Sequence, residues 1–446
     1  MTGKSAKKPA PGPDSPILFT NVRLIDPASG RDGPGSLLVE HGRISAIDPS
    51  GSAVPANARH VDGQGAVLAP GLVDLRASLG EPGAEYRETL RSGSEAAVAG
   101  GITSIGVMPD TDPAIDTPAL LTVIRQRGEE IGLASLYPHG ALTRASRGEE
   151  MTEMGLLQKA GALAFTDGVH AIGNTKQMRN LLSYAHFLNA LVMLHPQDID
   201  LSRGACATSG LQATRLGLPQ VTPAAEAMMV ARDLRLAEMT GARVHLTNIS
   251  TAEALDLIRD AKARGLRVSC DTAPPYFSLT EEAIGDYRTY AKLTPPLRLE
   301  KDRQAVRAAL ADGTIDAVTS DHSPADADDK RLPFAQARAG GTGLVTLLGV
   351  TLASGLPLLD ALRLLTVNPA RLLGLEAGTL SVGAKADLCL FDPQSEWTVH
   401  AGELPGLAQN TPFDGWTLKG RVLKTFREGR EVYTAPATAP AHGSDT

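Results

Sequence analysis

Cysteine is nearly absent from this 446-residue chain: Cys206, Cys270 and Cys389 stand far apart and form no CxxC pair. So sparse and odd a count excludes a disulfide scaffold and suits a reducing cytosol. Aromatic residues are also scarce, at 4%, which argues against base-stacking platforms. No run approaches the roughly 18–20 uninterrupted apolar residues that span a bilayer. The first residues, Met1 to Asp14, are polar and contain Lys and Pro, without the apolar centre of a signal peptide. Excess positive charge is missing too: a net charge of −7 gives no reason to expect nucleic acid or an anionic membrane as partner. There is no GxGxxG after the first strand and no P-loop. The expectation is a cytoplasmic protein with neither nucleic acid nor membrane as partner.

What remains is globular composition, 42% hydrophobic and 21% charged. Residues 1–15 and 434–446 are rich in Pro, Ala, Ser and Gly and are predicted to be disordered tails. Next to them, ILFTNVRLID and SLLVEHGRISAID at one end, and ADLCLFD, EWTVH and VLKTFREGREVY at the other, read as short strands between turn residues. Residues 16–65 and 376–433 are therefore expected to form one small composite β-sandwich domain from both chain ends. Between them, residues 66–375 alternate apolar strand-like runs (LVDL, ITSIGVM, ALAF, ALVML, ARVHLTN, RVSCD, IDAVTS) with helical stretches such as TPALLTVIRQRGEE and TPAAEAMMVARDLRLAEMT. This is an α/β pattern, and its length suits a (β/α)8 TIM-like barrel. On pattern alone a doubly wound open sheet is the alternative.

In a barrel the reactive groups lie at the C-terminal ends of the strands. Five such ends carry polar residues. GLVDLRASLGEPG (71–83) would set Asp74, Arg76 and Ser78 on one face of a strand. AFTDG (164–168) places Asp167 at a strand end before Gly168, a pair that is more often a plain turn. VMLHPQD (192–198) places His195 after an apolar run, and RVHLTNIS (243–250) brackets a strand end with His245 and Asn248. AVTSDHSP (317–324), with Asp321 and His322 directly after a strand, is the most suggestive of the five.

In order along the chain these blocks form a family pattern. GLVDLRASLGEPGAEYRETLRSGSEAAVAGGITSIGVMPDTDP closely resembles the first strand, loop and second strand of dihydroorotases in the amidohydrolase superfamily. The block from TPAAEAMMVARDLRLAEMTGARVHLTNIS to RVSCDTAP, then KLTPPLR, AVTSDHSPAD and GGTGLVTLL, continue the likeness from about residue 16 to 433. The resemblance implies the barrel with its small β domain. It also implies a zinc site built from a His-x-His on the first strand, an Asp or carboxylated Lys, two further His and a final Asp that doubles as general base.

Against that implied pattern, Asp167, His195 and Asp321 match ligand positions, while Arg76 and Ser78 replace the first-strand histidines and Asn248 a later one. A guanidinium has no lone pair to offer a metal, and a serine hydroxyl is a poor zinc ligand. The family's substrate-gripping positions hold Gly80, Asp110 and Thr294, and its later paired histidines are Pro275 and Tyr276. No cofactor is expected on this reading. Asp74, Asp167 and Asp321 should converge at the barrel mouth, with the Arg76 guanidinium in place of the zinc charge and paired to Asp321 or Asp167.

Three functions follow as expectations. The leading one is a non-catalytic dihydroorotase-like protein of pyrimidine biosynthesis, self-associating and serving as structural partner of the aspartate transcarbamoylase catalytic subunit. The alternative is an active dihydroorotase or related cyclic amide hydrolase with one zinc on Asp167, His195 and Asp321, where Asp321 moves the proton. The third keeps the scaffold but lets Arg76 bind a new anionic ligand in the pocket.

Overall fold

The computed structural model of the chain describes residues 15–436. The tails expected at 1–15 and 434–446 lie outside the described residues, apart from Ser15 and residues 434–436; Thr434 closes a strand.

Eight short parallel strands form the barrel: Leu72–Ala77, Ile102–Val107, Ser135–Pro138, Ala164–Phe165, Leu191–Leu194, Arg243–Leu246, Val268–Thr272 and Ala317–Val318. The first three are hydrogen-bonded in one group and the last five in another. Single parallel bridges, Gly140 to Phe165 and Ala77 to His322, join the groups and close the ring. Closure buries every residue of the first and second strands, so neither alternates between buried and exposed positions. Inside the ring Leu75, Ala164, Leu191, Met193 and Ala317 pack together, with Leu373 from the helix Val367–Leu373 against them. The third strand, the four residues SLYP, escapes the sequence pattern because it is so short.

The outer helices start and stop where local chemistry dictates. Thr117 and Pro118 open Pro118–Ile131, and Gly132 ends it at φ 68°, a conformation that costs glycine little. Thr251 caps Ala252–Ala263 by accepting from the backbone N–H of Ala254. Such caps set where each preceding loop, and the strand end before it, must lie.

Both chain ends build the second unit, whose eight strands are hydrogen-bonded into one continuous sheet. Val67–Pro70 is its link: it runs parallel to Ile17–Asp26 and antiparallel to Leu388–Thr398. The sheet thus reaches past residue 65, directly to the first barrel strand. It curls over its own core, where Phe19 meets Phe426 edge to face with ring centroids 5.0 Å apart.

Candidate functional site at the barrel mouth

The pairing register of the first strand shifts between Asp74 and Ala77. Simple alternation therefore fails there, and Asp74, Arg76 and Ser78 reach three different neighbourhoods. Asp74 is fully buried and turns to the end of the eighth strand, accepting from the backbone N–H of Ser320 at 2.9 Å and from its hydroxyl. Burial pushes its carboxyl up to about 6 in spite of these bonds. Ser78 donates to Asp110 at 2.6 Å on the exposed rim.

Arg76 points into the mouth. Its Nε stands 3.0 Å from Oδ1 of Asp321 and its Nη1 donates to the Thr247 hydroxyl at 3.0 Å. Both side chains are largely covered, at 5% and 13% exposure, so this is a desolvated ion pair and not a surface contact. Asp321 adopts φ 47°, which swings its carboxylate back across the strand end. Burial raises its pKa and the Arg76 guanidinium opposes that rise.

The other predicted residues are held separately. Asp167 accepts from the backbone N–H of Thr143 at 2.9 Å and from its hydroxyl, and burial raises its pKa. His195 is buried with Nδ1 unpartnered; burial first, and the Arg76 charge next, hold it well below the ordinary imidazole value. It is a neutral ring. Asn248, at φ 56°, is buried with its side-chain amide beside Asp321, and its backbone N–H donates to Asp271 at 2.7 Å. His245 points into the wall, not the mouth, where Nε2 lies 3.0 Å from Asp271 and Nδ1 2.8 Å from Ser269. Tyr276 donates to the Pro295 carbonyl at 2.9 Å.

Asp74, Asp167 and Asp321 therefore do not converge as expected. Each has its own partner (Ser320, Thr143, Arg76), because hydroxyls and a guanidinium satisfy a buried carboxylate more cheaply than another carboxylate beside it. Of the two partners foreseen for Arg76, it takes Asp321. Among the described residues no three His, Cys, Asp or Glu side chains are grouped as a metal ion would need, so Asp167, His195 and Asp321 are not arranged as a zinc site here. An arginine already bound to Asp321 occupies the charge position that a dication would fill. The donor set does not fit zinc.

A cleft of about 710 Å³ opens beside this pair, lined by His195, Thr294, Ser146, Gln197 and the cations Arg147, Arg203 and Lys292. Arg76 is not among its lining residues, so an anion in the cleft would meet Arg147, Arg203 and Lys292 and not Arg76. Sequence reasoning also missed a fully buried ion pair behind the mouth. Glu226 accepts from the backbone N–H groups of Ser250 and Thr251 at 3.0 and 2.9 Å, and from Arg298 at 3.2 Å. Arg298 sits in the KLTPPLR block, whose charge amid apolar and Pro residues was the available signal. His139, at the end of the third strand, was missed with that strand; it shares a hydrogen bond of 2.9 Å with the Leu75 carbonyl.

A family model described as "Amidohydrolase family" matches residues 60–432. The chain is 44% identical over 421 residues to a protein named dihydroorotase from Syntrophus aciditrophicus (strain SB), covering 94% of this chain and 99% of that one. It is 42% identical, with the same coverage, to a dihydroorotase from Pelobacter propionicus. Among solved structures it resembles the L-hydantoinase of Arthrobacter aurescens, with a TM-score of 0.83 at 23% identity over 94% of this chain and 96% of that one, a likeness of fold alone. The chain belongs to the amidohydrolase family and, within it, to the dihydroorotase family.

Proposed function

We propose that this chain is a dihydroorotase-family protein of pyrimidine biosynthesis that has lost metal-dependent ring hydrolysis and works through its fold, as a structural partner of the aspartate transcarbamoylase catalytic subunit. The Arg76–Asp321 ion pair carries this reading. Asp321 could act as a general base only with a free carboxylate, and here that carboxylate neutralises a guanidinium that has no lone pair for zinc. The partner rests on the family resemblance of the blocks that organise the barrel (GGIT, TPPLR, GTGL) and on nothing at the mouth.

A second reading is favoured by the names of the relatives. Proteins 40–44% identical over nearly the whole chain are named dihydroorotase, so an active dihydroorotase or cyclic amide hydrolase with a reduced, single-zinc site is the alternative. It would require Arg76 to leave Asp321 and the carboxylates to regroup.

Elemental zinc analysis of protein purified without chelator, together with an assay of dihydroorotate hydrolysis and of the reverse ring closure, separates the two. The proposal expects far less than one zinc per chain and no turnover above background. Stoichiometric zinc with turnover overturns it in favour of the enzyme. Co-purification with the transcarbamoylase catalytic chain tests the partner.

A further inference from the structure

Away from the mouth, two tight hairpin turns meet. His41 at φ 51° and Gly42 at φ 73° turn the hairpin between Arg31–Glu40 and Arg43–Ile47. Glu428 at φ 47° and Gly429 at φ 73° turn the one between Thr417–Arg427 and Arg430–Thr434. Two successive left-handed residues mark hairpin turns whose twist matches that of the strands. The turns pack through their glycines. A Cβ on Gly42 would lie 3.0 Å from the Glu428 carbonyl oxygen, and one on Gly429 3.5 Å from the Cα of Gly42.

This close approach gathers His41, Arg43, Lys385, Arg427 and Arg430, with Glu428, around a hollow of about 390 Å³. The basic heads are anchored. Arg43 Nη1 donates to the Gly383 carbonyl at 2.7 Å, and Arg430 Nη2 donates to that of Gly132. Lys385 pairs with Glu428 at 2.7 Å, and Arg427 holds the Ser135 hydroxyl at 3.1 Å and Glu129 at 2.7 Å. Asp387 lies beneath and is occupied by the Glu428 backbone N–H at 2.7 Å.

Lys385 and Arg427 therefore have carboxylate partners, while Arg43 and Arg430 have none among the described residues. In a chain of net charge −7 this concentration of positive charge is local. Every side chain that lines the hollow is charged or, in His41, an imidazole, so it suits a polar ligand better than an apolar one. A guanidinium fixed through one nitrogen keeps the rest of its fork for an oxyanion and loses little freedom on binding.

We propose that this hollow binds a phosphate-bearing small molecule, gripped by Arg43 and Arg430 with His41 and Lys385 beside it. The site is independent of the chemistry at the mouth and of whether the chain hydrolyses anything. Full-length protein is titrated calorimetrically with pyrophosphate and, separately, with ATP at constant ionic strength. The same titrations are run on Arg43→Gln/Arg430→Gln and on a mouth variant, Arg147→Gln/Arg203→Gln. Arg43 and Arg430 are exposed, so an unchanged melting temperature is expected of their double variant. Saturable binding that weakens about tenfold or more in that variant, and persists in the mouth variant, is the expected result. Tighter binding of ATP than of pyrophosphate would assign a nucleotide, and equal binding the phosphates alone. No saturable binding of either probe, equal binding in Arg43→Gln/Arg430→Gln and wild type, or loss of binding only in the mouth variant overturns the proposal.

Discussion

Arg76 and Asp321, which stand 245 positions apart in the chain, meet at the barrel mouth with Nε 3.0 Å from Oδ1. Removing either partner strands a charge in a covered site, which typically costs about 3–5 kcal/mol, whereas removing both is far milder. Arg76→Leu and Asp321→Asn are each expected to lower stability in urea by an amount of that order. The double variant should recover most of the loss. Asparagine tolerates the left-handed backbone at 321, so the second change tests charge and not strain. Strictly additive losses would show that the two groups are not coupled.

Converting Arg76 and Ser78 to His would exchange the blocking guanidinium beside Asp321 and a weak donor on the rim for two imidazoles. Arg76→His/Ser78→His is expected to bind zinc about tenfold or more tightly than wild type, measured by competition with a chromophoric chelator. Equal affinities would mean that the first strand is not what keeps zinc out.

Two buried groups give opposing pH signatures. The carboxyl of Asp74 is pushed by burial from 3.8 up to about 6. Its contribution to stability is thus present below about pH 3.8 and lost as pH rises through 6, by at most about 3 kcal/mol. Burial pulls His139 from 6.5 down to about 4, so its contribution is present above pH 6.5 and lost as pH falls through 4, by a similar amount. Between pH 4 and 6.5, the stability of Asp74→Asn relative to wild type should rise with pH, and that of His139→Gln should fall. Parallel curves for wild type and both variants would refute the assignment.

The Glu226–Arg298 pair is covered on both sides, at 1% exposure each. Glu226→Gln leaves the Arg298 guanidinium without a countercharge and is expected to cost about 3 kcal/mol and several degrees of melting temperature. Glu226→Gln with Arg298→Met should be less damaging than Glu226→Gln alone, because the amide oxygen still accepts from the Ser250 and Thr251 N–H groups and no buried charge is left. If Glu226→Gln melts with wild type, Arg298 draws no net support from the charge.

The barrel was legible because seven of its strands are apolar runs flanked by helices with recognisable caps, such as Thr117–Pro118 and Thr251. Ser135–Pro138 was not, since four residues carry too little periodicity. The residue types at the positions where the resemblance implies metal ligands were equally plain, because Arg76 offers a metal no lone pair and Ser78 and Asn248 are weak zinc donors. The shared face expected for Asp74, Arg76 and Ser78 failed, because a register shift in the first strand is set by its neighbours and leaves no mark in its own residues.

Residue chemistry along the chain is enough to settle that this is a dihydroorotase-like barrel, since side-chain type and spacing are local properties. Partnership is not local. That Asp321 belongs to Arg76, Asp167 to Thr143 and Asp74 to Ser320 emerges only when strand ends far apart in sequence are brought within hydrogen-bonding range. At that distance the desolvation of each carboxylate demands one specific donor, and the geometry of the closed ring supplies it.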